Sequence, residues 1–346
     1  VGAKRDNPGI VIRHACGGGK ALLLAGVSLA MLASAGCRKA EVPEQGASAA
    51  KLRIGFFPNI THAAALAGLH ETTTRGPTGW FETRTGAKIE WLAFNAGPSA
   101  IEALLAGTVD LTYVGPRPVI NGYTRTGSAD IRVLSGAARG GAALVIPRDS
   151  SINTAAGFKG KRMATPQLGN TQDVSARDWL RSGGLIVRPT GGDVHVVPTA
   201  NPDQLALFQR GQLDGVWTVE PWVSRLELEA NGKILVEETN ILAAVVATSI
   251  KTLARKPELT RKFLAAHGEM IDKIAKDPAW AKPAVNAALA KATTRPIPTA
   301  LLDRAWGRIT FSTDVQLADF QVMQRQAKAS DLLPREVDLA KLIHRP

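Results

Sequence analysis

Asn95-Ala96-Gly97-Pro98-Ser99, an apolar face through Ile101, Leu104 and Leu105, then Gly107-Thr108-Val109-Asp110 and a short run to Tyr113 and Pro116 form a unit that recurs 104 residues later. The second copy reads Thr199-Ala200-Asn201-Pro202-Asp203, Leu205 and Phe208, Gly211-Gln212-Leu213-Asp214, then Trp217 and Pro221. Each copy runs loop, proline at the first helical position, apolar helix face, glycine stop, and aspartate opening a strand. Such a unit buries its apolar face only against a sheet of its own, so two copies this far apart predict two α/β lobes with a cleft between them.

Outward from this pair, apolar runs alternate with helical periods. Strands are expected over 52–57, 88–94, 110–114 and 131–135, with helices over 60–70, 98–106 and 116–123. Short strands joined by crossover helices predict mainly parallel sheets. The apolar strands at 142–146 and 241–247 read as the two hinge crossings, which places 51–144 and 246–346 in lobe 1 and 145–245 in lobe 2. Beyond Lys256 the chain reads as helices that wrap back onto lobe 1, with Leu259, Phe263, Ile271 and Ile274 on one face.

With 346 residues and 45% hydrophobic content, the chain is long enough for two cored domains. Residues 1–36 read as a signal peptide: Lys4, Arg5, Arg13 and Lys20 precede an apolar or small-residue run from Ala21 to Ala35, too short to span a bilayer. The run ends in Ser34-Ala35-Gly36-Cys37, which resembles a bacterial lipoprotein signal with Cys37 as the lipidated residue, although Ser34 stands where such signals usually carry leucine. Residues 37–50 then form a flexible tether. The other cysteine, Cys16, falls inside this leader, so no internal disulfide, cysteine nucleophile or cysteine metal site is expected. The formal charge is +12, of which +3 precedes Cys37. The basic residues are dispersed, without a block interleaved with aromatics, and this argues for a soluble surface or anionic partners rather than nucleic acid.

The chemistry of catalysis is sparse. The six histidines, at 14, 62, 70, 195, 267 and 344, include no i, i+4 pair for a metal, and no Gly-x-Ser-x-Gly elbow occurs. Gly17-Gly18-Gly19-Lys20 lacks the Ser or Thr that a phosphate loop requires. No catalysis, cofactor or metal is therefore expected. Helix starts stand out instead: Asn59, Gly97-Pro98-Ser99, Gly115-Pro116-Arg117, Gly169-Asn170-Thr171 and Glu220-Pro221. In open α/β sheets the ligand crevice lies where helices begin, and free N–H groups with a positive dipole end make an anion site without a charged side chain. Plain capping explains each loop taken singly; glycine beside a hydroxyl favours ligand contact at Gly97-Pro98-Ser99 and Gly169-Asn170-Thr171, whereas Asn201-Pro202-Asp203, with an aspartate where the first copy has a hydroxyl, reads as capping alone.

These loops also carry a family likeness. Gly55-Phe56-Phe57-Pro58-Asn59-Ile60-Thr61-His62-Ala63, Asn95 to Ala100, Tyr113-Val114-Gly115-Pro116, Lys161 to Asp173, and Asp214-Gly215-Val216-Trp217 with Glu220-Pro221-Trp222 resemble the substrate-binding proteins of bacterial ABC importers for nitrate, taurine and aliphatic sulfonates. The likeness covers Lys51 to about Leu333. It implies a two-lobed periplasmic binding protein of type II, exported, monomeric and lipid-anchored, which passes a small anionic or zwitterionic solute to an ABC permease in the inner membrane. The contacts it implies are Asn59, His62, Gly97, Ser99, Gly115, Asn170, Thr171, Trp217 and Glu220. Asp173 and Glu220 would oppose an anion unless they serve helix starts or meet a cationic group on the ligand, and Arg117 is a partner for a carboxylate or for the ligand, or a solvated residue. The same fold also resembles the pyrimidine-forming proteins of thiamine biosynthesis, where His62 would be the reactive histidine, and pyrimidine-precursor binding or a signalling role are further alternatives.

Overall fold

The computed structural model describes residues 50–293 and 295–345. The leader, Cys37 and all but the end of the tether lie outside them. In chain order the strands are β1 (Lys51–Phe56), β2 (Lys88–Ala93), β3 (Leu111–Val114), β4 (Ile131–Gly140), β5 (Ala142–Pro147), β6 (Arg162–Thr165), β7 (His195–Pro198), β8 (Gly215–Val219), β9 (Gly232–Glu238), β10 (Leu242–Ser249) and β11 (Ile309–Phe311). The helices are α1 (Ala63–Arg75), α2 (Trp80–Thr85), α3 (Gly97–Leu105), α4 (Pro116–Arg125), α5 (Thr171–Ser182), α6 (Asn201–Gln209), α7 (Trp222–Glu229), α8 (Ile250–Arg255), α9 (Pro257–Lys276), α10 (Pro278–Thr293), α11 (Thr299–Trp306) and α12 (Leu317–Ala329).

The strands form two sheets, β11-β4-β10-β3-β1-β2 and β7-β6-β8-β5-β9. Both are mixed rather than mainly parallel. The crossover-linked strands β2-β1-β3 and β7-β6-β8 pair parallel, whereas β4, β5, β9, β10 and β11 make antiparallel pairs. Four of the five antiparallel pairs involve β5 or β10, the strands that change lobes without a crossover helix and are free to pair antiparallel; the fifth is the short β11 on the edge of β4. β5 is paired with β8 and β9 from Ala142 onward, so the chain leaves the first sheet at Gly140-Gly141, ahead of the 142–146 run. Both glycines have φ near +74°, and a Cβ at Gly140 would meet the carbonyl oxygens of Arg308 and Thr239 at 2.6 and 2.7 Å. The return lies between β9 and β10, and β10 is already in the first sheet from Leu242.

The echo folds as expected. α3 and β3 in lobe 1 correspond to α6 and β8 in lobe 2, with left-handed Gly107 and Gly211 ending the helices. Asp110 Oδ2 accepts from Arg53 N in β1 while Asp110 N donates to Arg53 O, and Asp214 does the same with Arg162 at the start of β6. The C-terminal helices return to lobe 1: Phe263, Met270, Ile271 and Ile274 of α9 join Leu52, Ile54 and Leu66 in one core, and Phe320 and Met323 of α12 join Ile101, Val119 and Val133 in another. Three elements escape the sequence patterns: the short α2 and α8, and the three-residue β11, which lies in a stretch that reads as helix up to Ile309.

Candidate functional site

Between the sheets is a chamber of about 390 Å³, counting the part open to solvent. Lobe 1 lines it with Phe57, Asn59, Thr61, His62, Asn95, Ala96, Gly97, Gly115, Pro118 and Ala243; lobe 2 contributes Pro166, Asn170, Thr171, Gln172, Asn201 and Val219. Six of the nine expected residues are therefore together: Asn59, His62, Gly97, Gly115, Asn170 and Thr171. Each stands just beyond the carboxyl end of a strand, where α1, α3, α4 and α5 begin.

The helix starts are unevenly capped, and this decides what they offer a ligand. α3, α4 and α6 have no side-chain cap bond at their N-termini. Asn59, read as an N-cap, makes no capping bond with its side chain either. α5 differs, because Asn170 Oδ1 accepts from Asp173 N at 2.8 Å. Thr171, one residue on, is 4% exposed, and its Oγ1 has no hydrogen-bond partner. A buried, unpartnered hydroxyl costs about 1–3 kcal/mol, so one that lines a chamber ringed by helix starts points to a ligand acceptor.

His62 is a neutral donor. It is 2% exposed, and burial drives its imidazole down to about 3. Its Nδ1 accepts from Phe57 N at 3.1 Å, which leaves Nε2 as the protonated nitrogen. The ring lies on Phe57, with centroids 4.4 Å apart.

Three expected contacts are placed elsewhere. Ser99 Oγ donates to Ala96 O at 2.8 Å and serves the first turn of α3. Trp217 is 2% exposed in the lobe 2 core, edge-on to Trp179, with its indole N–H on Glu238. Glu220 is fully buried behind the chamber, where it accepts from Ser224 N, Ser224 Oγ and Arg308 Nη1. Its backbone instead joins the lobes, since Ile60 N donates to Glu220 O at 3.0 Å.

The acids are thus out of the ligand's way. Asp173 accepts from Thr165 Oγ1, Gly169 N and Arg177 Nε, with both Asp173 and Arg177 side chains at 0% exposure. Arg117 is neither solvated nor in the cleft. It is 2% exposed, bonds Met323 O at 2.6 Å and Gln326 Oε1 on α12, and burial drives it down to about 9. Among the described residues that line the chamber, none carries a charge. Sequence reasoning passed over Thr61, Asn95, Gln172 and Asn201. Asn201 is the instructive case: the aspartate beside it marked the second copy of the echo as capping alone, yet Asn201 lines the chamber and its Oδ1 accepts from Thr218 Oγ1. Its signal was its position, matching Gly97 in the first copy.

Two lobes, two sheet crossings and a chamber ringed by helix starts define the fold of the periplasmic binding proteins. The structure aligns with an alkanesulfonate-binding protein from Xanthomonas axonopodis pv. citri bound to MOPS at a TM-score of 0.70 and 23% identity, over 86% of this chain and 99% of that one. It aligns equally well, at 0.70 and 16% identity over 84% of each chain, with the periplasmic nitrate-binding protein of Synechocystis PCC 6803. The profile of the NMT1-like family matches residues 45–290, and the chain belongs to that family. In sequence it is 27% identical over 196 residues to the taurine-binding periplasmic protein of Escherichia coli (strain K12), which is 57% of each chain. The chain spans about half the length of the curated relatives it matches.

Proposed function

We propose that this protein is the solute-binding component of an ABC-type importer, which captures a small oxyanion of the sulfonate class between its lobes and delivers it to a membrane permease without catalysis. The Thr171 hydroxyl carries the proposal: it is buried, lacks a partner, and faces a chamber where helix starts supply N–H groups and positive dipole ends. Support also comes from the family and from the taurine, alkanesulfonate and nitrate proteins it resembles. The enzyme alternative would need His62 as a reactive group, whereas its Nδ1 is already engaged by Phe57 N. Export, a lipid on Cys37 and a monomeric state belong to the same proposal. Among the described residues, no helix is long and apolar enough to cross a membrane.

A thermal-shift panel of ethanesulfonate, taurine, nitrate, a phosphonate and a pyrimidine precursor tests the ligand class. An oxyanion at 100 times its Kd adds about 2.7 kcal/mol of stability. No shift with any oxyanion, alongside a shift with the pyrimidine, overturns the assignment. For the anchor, Cys37→Ser should release the protein from membranes into the soluble fraction.

A further inference from the structure

A second space shares part of the chamber's lining. Asn59, Asn95 and Asn201 line both the chamber and a vestibule of about 740 Å³, solvent-open part included. Beyond this ring of amides the vestibule is walled by Pro58, Pro202, Leu205 and Trp222, with Arg225 and Thr293 at its sides. Leu205 and Trp222 are 8% and 5% exposed, so their apolar surface is part of a formed wall. The Arg225 guanidinium lies over the Trp222 ring, 4.8 Å from its centroid, and its Nε donates to Glu229 Oε2. Among the described residues, no carboxylate lines either space. The two acids that sequence places beside the cleft are held by Arg177 and Arg308.

We propose that the vestibule is the subsite for the substituent of the ligand, and that it selects sulfonates whose substituent is uncharged, apolar or aromatic, and larger than the aminoethyl arm of taurine. This rests on the sulfonate head sitting in the chamber at Thr171. With the head there, the substituent passes the three asparagines and meets Leu205, Pro202 and Trp222, where burial of apolar area favours binding. An ammonium on that substituent leaves water for a space that offers Arg225 and amide oxygens but no anion, which costs affinity.

Calorimetric titration of the purified full chain with methanesulfonate, benzenesulfonate, isethionate and taurine tests both halves. Benzenesulfonate is expected to bind at least ten-fold tighter than methanesulfonate. Isethionate, which carries a hydroxyl where taurine carries an ammonium, is expected to bind at least ten-fold tighter than taurine. Leu205→Trp and Thr293→Trp fill the vestibule from opposite lobes, and each should cut the preference for benzenesulfonate over methanesulfonate at least five-fold; Thr293→Trp, at a more exposed position, keeps the test open if the first variant fails to fold. Asn95→Asp should shift preference towards taurine. Equal affinity for the two sizes, taurine binding as tightly as isethionate, or unchanged preference in the folded variants overturns the subsite and leaves the oxyanion chamber standing. If none of the four sulfonates binds, the chamber assignment falls, and the subsite with it.

Discussion

Asn59 and Asn170 hold the same place in their lobes, just before the first helix that follows the first strand, and they do different work. Asn170 is committed to structure: its Oδ1 caps α5 and its Nδ2 donates to Gln172 Oε1. Asn59 makes no cap bond with its side chain and faces the chamber. The loops around them are anchored differently as well. Lobe 2 pins its loop with the buried Asp173–Arg177 pair, whereas lobe 1 uses the neutral His62 ring, which accepts from Phe57 N. Lobe 2 thus presents a rim held by its own bonds, with the Thr171 hydroxyl unpartnered, while lobe 1 leaves Asn59 uncommitted at the chamber. A two-lobed binder gains from this division, because a pre-organised half lowers the ordering cost of binding.

The largest effect expected from this contrast is at Asp173. Asp173→Ala leaves Arg177 buried without its partner and should lower the unfolding free energy by about 3–5 kcal/mol in urea titration. A loss under about 1 kcal/mol would mean that the pair does not pin the loop.

The two echo aspartates come next. Asp110 is 4% exposed and is held by Arg53 and Lys256, whereas the Asp214 side chain is 34% exposed. Asp110→Ala should cost about 2 kcal/mol and Asp214→Ala about 1 kcal/mol or less, by the same measurement. Burial pushes the Asp110 carboxyl up, but the bonds from Arg53 and Lys256 outweigh it and hold the group below its usual value. A depressed carboxylate stabilises the fold above its unfolded pKa, so this contribution should fade as the pH falls below about 4, and Asp110→Asn should remove that slope.

Smaller still is the asparagine contrast. Asn170→Ala should cost about 1 kcal/mol of stability through the lost cap. Asn59→Ala should leave stability within about 0.5 kcal/mol and weaken sulfonate binding by about 1 kcal/mol. Thr171→Ala should weaken binding by a similar amount, read by calorimetry. If Asn59→Ala destabilises the fold and leaves binding intact, the division of labour between the lobes is wrong.

The smallest effect is a flat line. His62 stays neutral when folded, so sulfonate affinity should not change between about pH 5.5 and 8.5. Stability should nevertheless decline on acidification. Burial holds His62 at about 3 and His267 at about 4, while in the unfolded chain both protonate near 6.5. The unfolded state then binds more protons between those values, and the fold loses stability as the pH drops through that window.

The helix starts and the echo were legible because backbone propensity is local: a proline at the first turn, a glycine stop and an alternating strand declare themselves within a few residues. Side-chain partners were not. Trp217 turns away from the cleft to meet Glu238, Glu220 is bound by Arg308 from 88 residues on, and Arg117 is buried against α12. None of these partners lies within the reach of a sequence window. Asn201 was passed over for a local reason, since Asp203 stands where the first copy of the echo has a hydroxyl and marked the loop as capping. β11 is too short to show a period, and it exists only because β4 offers an edge to pair with.

Taken alone, the amino-acid sequence determined that there are two lobes and where their helices begin. Those features follow from hydrophobic period and backbone geometry, which short stretches of chain already carry. Only the tertiary structure decided which polar groups are spent and which are free. It pairs Asp173 with Arg177 one helical turn on and Glu220 with the distant Arg308, caps α5 with Asn170 and leaves Asn59 and Thr171 unengaged, because a buried charge or hydrogen-bonding group takes its partner from whatever the fold brings close to it.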